Sequence, residues 1–301
     1  MSRSDQLSDY NIPFDGVTGS KLARARLRYL KTELRENPRV SKAYIRAGVR
    51  EFIPGLKPAI DRIPQGSSLI IMPSTTGQNR IPLILGNAIR KLRPDVELVN
   101  AKGRAIEVLH DTPSKIKDRP VDRLSDHRSF QINPGLLARR EQLNRSSLIL
   151  DDSLSTGDSA ITLHRQLLRE GIYAQGIVAA VTGSKYHVRQ SDINRLYKTI
   201  VNHRPDNYSA EQLRQDMLNT FAGYPASKVK RLELSLSRDK GSQLYRRPDL
   251  LVHVVRTTSA YLNKEQLGAN HFLELKQRAV PELRSQQRRQ DPPPPGNKLK
   301  L

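Results

Sequence analysis

The stretch SLILDDSLSTGDSA, Ser147 to Ala160, gathers two adjacent carboxylates and a run of hydroxyls around one glycine. Asp151 and Asp152 can accept hydrogen bonds from hydroxyls, and carboxylates can also order a shell of water around Mg2+. Ser155, Thr156, Gly157, Asp158 and Ser159 supply hydroxyls and backbone N–H groups. Gly157 adds a position where the chain can take positive φ or let a ligand approach closely. Hydroxyl acceptors beside an amide-rich turn suit a phosphorylated sugar. Asp158 fits this poorly, because a carboxylate in a phosphate loop is tolerable only if it points outward or caps a helix amide.

Such a constellation needs rigid neighbours. Leu148, Ile149 and Leu150 read as the end of a buried strand, of the continuous apolar kind that a parallel sheet covered on both faces requires. The two acids are expected where that strand leaves the sheet. Leu163, Leu167 and Leu168 then recur at helical spacing, and the unpaired amides at the start of such a helix form an anion site. A second strand, Ser67 to Met72, runs into PSTTGQNR and a helical stretch, IPLILGNAIRKL. In that turn Ser74, Thr75, Thr76 and Gly77 offer hydroxyls and amides, and Arg80 offers a bidentate fork for phosphate. Taken alone, the turn is equally a strand-to-helix connection with Ser and Thr as caps. Val96 to Asn100 reads as a short strand. After it comes a polar stretch containing Lys115, Lys117, Arg119, Arg123 and Arg128, closed by Phe130 and Ile132. That stretch suits either a solvated basic face or a cationic loop over an anion.

LILDD followed by STGDS resembles the phosphoribosyl-pyrophosphate (PRPP) signature of the type I phosphoribosyltransferases. The order of the Pro73 turn, Asn79-Arg80, a helix, Arg119 to Phe130 and then LILDD is similar to the competence-protein F group among them, over roughly residues 62 to 185. The resemblance implies an α/β fold with a parallel-sheet type I phosphoribosyltransferase core and helical additions at both ends. It implies that Asp151 and Asp152 contact the ribose hydroxyls. The 5′-phosphate would lie on Ser155, Thr156, Gly157, Asp158 and Ser159, and pyrophosphate on Ser74, Thr75, Thr76, Gly77 and Arg80. Lys115, Lys117, Arg119 and Arg128 would belong to a mobile loop over the site. Mg2+ would be the cofactor, with Asp151 and Asp152 acting on it indirectly. The reaction implied is displacement of pyrophosphate from C1 of PRPP by an acceptor the sequence does not identify. Two departures stand out. The chain has no cysteine, so the cysteine zinc module common in that group is missing. Ser155 stands where purine-salvage members carry an Asp, so purine salvage gains no support.

Composition bounds the rest. The chain of 301 residues has room for one core domain with flanking structure. The expected division is a basic helical segment at 1–61, the core at 62–190, a mostly helical region at 191–284 and a disordered proline-rich basic tail at 285–301. Mean hydropathy is −0.60, and no run approaches the roughly 20 apolar residues of a membrane span. The start lacks a signal-like apolar region. A soluble cytoplasmic protein without a membrane partner is expected, and disulfides and thiol catalysis are excluded.

Net charge is +21. Between Ser20 and Arg50 ten Lys or Arg face two Glu, on a helical pattern that turns Leu27, Leu30 and Leu34 inward and Arg24, Arg28, Lys31 and Arg35 outward. Such a surface attracts DNA or RNA and equally steers a small polyanion such as PRPP. This leaves a second function class open, a non-catalytic or regulatory protein of the same fold acting on nucleic acid. Aromatic residues are 5% of the chain, with no Trp, so stacking on bases is not the expected mode. Towards the C-terminus, Ser209 with Gln212 forms a capping box, Ala226 to Ser237 reads as a helix and Leu250 to Val255 as a strand. Asn263 with Gln266 reads as the start of a helix through Leu275.

Overall fold

The computed structural model describes residues 7–18, 21–37, 39–74, 79–110, 128–184 and 186–279. The fold is α/β. Five parallel strands form the central sheet: β1 (Phe14–Thr18), β2 (Ser68–Ile71), β3 (Glu97–Val99), β6 (Ser147–Leu154) and β7 (Gly176–Thr182). Their order is β1-β7-β6-β2-β3, and every pairing is parallel. Two further strands, β4 (Ile106–His110) and β5 (Ser129–Ile132), make a separate antiparallel ribbon. Phe130 ties this ribbon to the body, its N–H donating to the buried Gln166 Oε1 at 2.9 Å.

Strand alternation sends side chains into two cores. Leu69, Ile71, Leu150 and Val178 pack under α1 (Lys21–Glu36), α2 (Lys42–Arg50), α3 (Ile53–Asp61) and α4 (Ile81–Leu92). Ile70, Ile149, Ile177 and Ala179 point the other way. There they meet α7 (Asp158–Arg169) and, beyond it, α8 (Gln190–Ile200), α9 (Ala210–Phe221), α10 (Ala226–Ser237), α12 (Asp249–Lys264) and α13 (Ala269–Ala279). Short helices α5 (Pro134–Leu137), α6 (Arg140–Arg145) and α11 (Gln243–Arg246) complete the set among the described residues. Covering on both faces explains the continuous apolar runs of β2, of β7 and of Leu148 to Leu150 in β6.

Several expectations are met. β2, β3, α7 and α10 lie where the sequence places them, and Ser209 caps α9 by accepting from the Gln212 N–H at 3.0 Å. The N-terminal region is helical as expected, and it also contributes β1 as the edge strand beside β7.

Three details differ. β6 does not end before the acids: its ladder with β2 stops at Leu150, but pairing with β7 runs on through Asp151↔Ala179 to Leu154↔Thr182. Leu250 to Val255 is helical, inside α12. The run is short enough to suit either state, and the buried Leu251, Val252, Val255, Thr258, Ser259 and Leu262 follow helical spacing. Asn263 lies in the last turn of α12 instead of opening a helix, because the chain closes there with the Gln266 N–H donating to the Asn263 carbonyl at 3.1 Å and the Leu267 N–H to the Leu262 carbonyl at 2.7 Å. Gln266 follows in the left-handed region at φ 55°, and α13 starts at Ala269. The expected tail at 285–301 lies outside the described residues.

Candidate active site

The chain leaves β2 for the edge strand β3, then returns to β6 on the other side of β2. The sheet order therefore reverses between β2 and β6. At such a reversal the connections diverge and leave a crevice beyond the carboxyl ends of the strands, where ligands of open α/β sheets bind. Both motifs stand there. Ser74, Asn79 and Arg80 follow β2, while Asp151 to Ser159 span the end of β6 and the start of α7. Thr75, Thr76 and Gly77 lie outside the described residues, as do Lys115, Lys117 and Arg119.

The acid pair is buried, Asp151 at 8% exposure and Asp152 at 2%. Asp152 is fully engaged by protein. Its Oδ1 lies 2.6 Å from Lys31 Nζ, and its Oδ2 accepts from Asn79 Nδ2. Lys31 also donates to Ser153 Oγ at 3.3 Å. Asn79 is fixed in turn, its N–H donating to Ser74 Oγ at 3.2 Å and its Oδ1 accepting from the Ile81 N–H at 3.3 Å. Asp151 Oδ1 accepts from the Asp152 N–H at 2.7 Å. Burial, and then the neighbouring Asp152 charge, push the Asp151 carboxyl up to about 7, against the pull of Lys31 and Arg128. Near neutrality Asp151 can therefore either donate to or accept from a ligand hydroxyl.

Lys31 corrects the expectation of an outward-facing residue. On a helix at ~100° per residue it is the cation of its set nearest the stripe of Leu27, Leu30 and Leu34. Leu27 and Leu30 are buried against the sheet, so the side chain of Lys31 is carried over the end of β6. Arg24, Arg28 and Arg35 are exposed as expected. Arg80 is exposed at the start of α4. Arg128 acts electrostatically on Asp151, so the only described member of the expected mobile-loop set stands close to the acids.

The turn at Ser155 to Ser159 has the predicted backbone. Gly157 takes φ 82° and caps α7, its carbonyl accepting from the Ile161 N–H at 2.8 Å. Ser155 is exposed, and Thr156, Asp158 and Ser159 are half-buried. Asp158 neither points freely outward nor caps an amide by its side chain. Its carboxylate accepts from Thr156 Oγ1 at 2.6 Å and from Lys228 Nζ. Neutralisation by an ammonium at 5% exposure is what makes an acid tolerable in this turn.

Lys228 belongs to the first turn of α10, and that helix end forms one wall of the loop. Ser227 Oγ donates to the Ser155 carbonyl at 2.5 Å. A Cβ on Gly157 would sit 2.7 Å from Pro225 Cδ. Tyr224 lies between two cations, Lys228 Nζ 4.7 Å and Arg165 Cζ 5.3 Å from its ring centre. Arg165 Nη2 is anchored on the Ala222 carbonyl at 2.9 Å.

These donor sets do not fit a Mg2+ ion held directly by the chain. Both Asp152 oxygens face N–H donors, and Asn79 turns its NH2 group to the site with its oxygen on a backbone amide. Among the described residues no three His, Asp or Glu side chains group in a way that could hold a metal ion. No helix there is long and apolar enough to cross a membrane.

Comparisons with protein-family models, curated proteins and solved structures found no match to this chain. The site therefore rests on its geometry. Sequence reasoning placed Lys31 on the outward basic face and Asn79 only in the order of motifs, and assigned no role to Pro225, Ser227 or Lys228. The helical register of Lys31 was a usable signal, whereas the α10 residues reach the loop across about seventy positions with no local mark.

Proposed function

We propose that this chain is a cytoplasmic phosphoribosyltransferase-type protein with a type I core. It binds PRPP, or a related ribose-5-phosphate compound, in the crevice between β2 and β6. The observation that carries this reading is one continuous piece of chain: a buried acid pair at the end of β6, a left-handed glycine, and the open amides of α7, all at the reversal of sheet order. Asp151 meets a ribose hydroxyl. The amides from Thr156 to Ser159 meet the 5′-phosphate, aided by the α7 dipole. An acceptor then attacks C1, the bond from C1 to the pyrophosphate oxygen breaks, and pyrophosphate departs with the bonding pair. Arg80 and Arg128 provide cations on the side where that charge grows.

Calorimetric titration of ribose-5-phosphate and PRPP tests this. Binding is expected, with Asp151→Ala weakening it by about 1.5–3 kcal/mol, or roughly 10- to 100-fold, the worth of a charge-assisted hydrogen bond. No binding, or parental affinity in the variant, refutes the assignment.

One observation favours a second reading, action on DNA or RNA. Arg24, Arg28, Arg35, Lys42, Arg46 and Arg50 are exposed on α1 and α2, and Tyr29 and Tyr44 stand exposed among them at 47% and 40%. That face adjoins the turn of α1 that sends Lys31 into the crevice, since Arg28 and Arg35 are its neighbours three and four positions away on the helix.

A further inference from the structure

We infer that Lys31 is the resident cation of the acid pair: it fills the place a divalent ion would take, so a sugar phosphate binds here without a metal bridging it to the chain. This rests on the proposed reading of the crevice for its ligand, but not for the placement of Lys31. The ammonium lies 2.6 Å from Asp152 Oδ1, inside the distance of a charge-assisted hydrogen bond. Its second donor contact, to Ser153 Oγ at 3.3 Å, holds it at the end of β6. The lysine is delivered by a helix whose Leu27 and Leu30 are locked into the core, so this is not a wandering surface side chain.

The rest of the shell agrees. Asp152 Oδ2 meets the NH2 group of Asn79, and turning that amide over would place oxygen against carboxylate while losing the bond from the Ile81 N–H to Oδ1. Both carboxylate oxygens are thus served by N–H donors, an arrangement that satisfies an anion and repels a cation. A divalent ion would have to displace the ammonium from Oδ1 or the Asn79 NH2 group from Oδ2 before gaining a ligand from Asp152. Lys31 is 36% exposed along its side chain, so it can yield to substitution without leaving a cavity in the core.

The test uses Mn2+ as the probe for a magnesium site, followed by electron paramagnetic resonance on the full chain without ligand. The parent is expected to take up no Mn2+ at the acid pair. Lys31→Met should bind it at least about tenfold more tightly than the parent, and adding Asp152→Asn should abolish that gain. Lys31→Gln serves as a second neutral variant, and circular dichroism verifies that each protein is folded. In parallel, the parent should bind ribose-5-phosphate within about twofold in EDTA and in excess Mg2+. Mn2+ uptake by the parent that Asp152→Asn removes overturns the inference, as does silence of both folded Lys31 variants. Failure of ribose-5-phosphate to bind under any condition would defeat the proposed function, while the Mn2+ comparison would still decide the role of Lys31.

Discussion

Replacing Asp151 by Asn should make the protein more stable than the parent, and increasingly so as pH rises from 5 to 8. The native carboxyl is held at about 7 against an ordinary 3.8. In that window the folded chain keeps a proton that the unfolded chain has released. Unfolding then loses a proton, so stability falls as pH rises, and the loss is complete above the native value. About three units at 1.36 kcal/mol each set a ceiling of about 4 kcal/mol. Asn carries no charge and retains the oxygen that accepts from the Asp152 N–H, so it removes the penalty while keeping the bond. The assay is urea unfolding of both proteins at pH 5 and pH 8, read as the difference between their differences. Buried His164, whose pKa burial lowers to about 4, titrates in both proteins and cancels. A gain of at least about 2 kcal/mol for the variant on going from pH 5 to pH 8 is expected. A constant offset between the two proteins would refute the claim that Asp151 is held protonated by burial and by Asp152.

Gly157→Val should lower stability by about 1–3 kcal/mol from the left-handed backbone alone, with the Pro225 contact adding to it; an unchanged melting temperature would refute both the left-handed turn at Gly157 and its close approach to Pro225. Lys228→Met leaves Asp158 half-buried without its cation and should cost about 3 kcal/mol. Adding Asp158→Asn should recover much of that loss in denaturant unfolding, and strict additivity of the two changes would deny the pair. For the basic face, changing Arg24, Arg28 and Arg35 together to Gln should flatten the plot of log K against log[salt] for nucleic acid by about 2–3 units. An unaltered slope moves the contact elsewhere. Lys31 is left out of that set because its ammonium serves the acid pair.

Much of the central layer was legible because its signals are local. Apolar runs over Ser67 to Met72 and Leu148 to Leu150 mark buried parallel strands, and the glycine at 157 marks a left-handed turn. The length of β6 was not legible, since whether Asp151 and Asp152 stay in the sheet depends on β7 continuing to pair after β2 has stopped. Leu250 to Val255 misled because a run of six residues, five of them apolar around His253, suits either state. The site divides the same way. Asp151, Asp152 and the STGDS turn are contiguous and could be read directly, whereas Lys228 and Ser227, which meet Asp158 and Ser155 from α10, carry no mark in the sequence near the turn. The anomaly of Asp158 was visible, but its resolution by Lys228 was a tertiary fact.

The wall that α10 builds against the turn, taken with Lys31 reaching in from α1, means that the crevice is assembled from three lengths of chain that meet only in the finished molecule. Lys31 and Ser153 are 122 positions apart, and Ser155 and Ser227 are 72 apart. A ligand bound there therefore recognises the whole native state and no part of it, so its binding energy adds to global stability instead of to one subdomain. A fragment ending near residue 190 would retain the acids and the glycine but lose one side of the cradle. Occupancy of the crevice is in this sense a certificate of completed folding, issued only to chains in which α1 and α10 have both docked beside the end of β6.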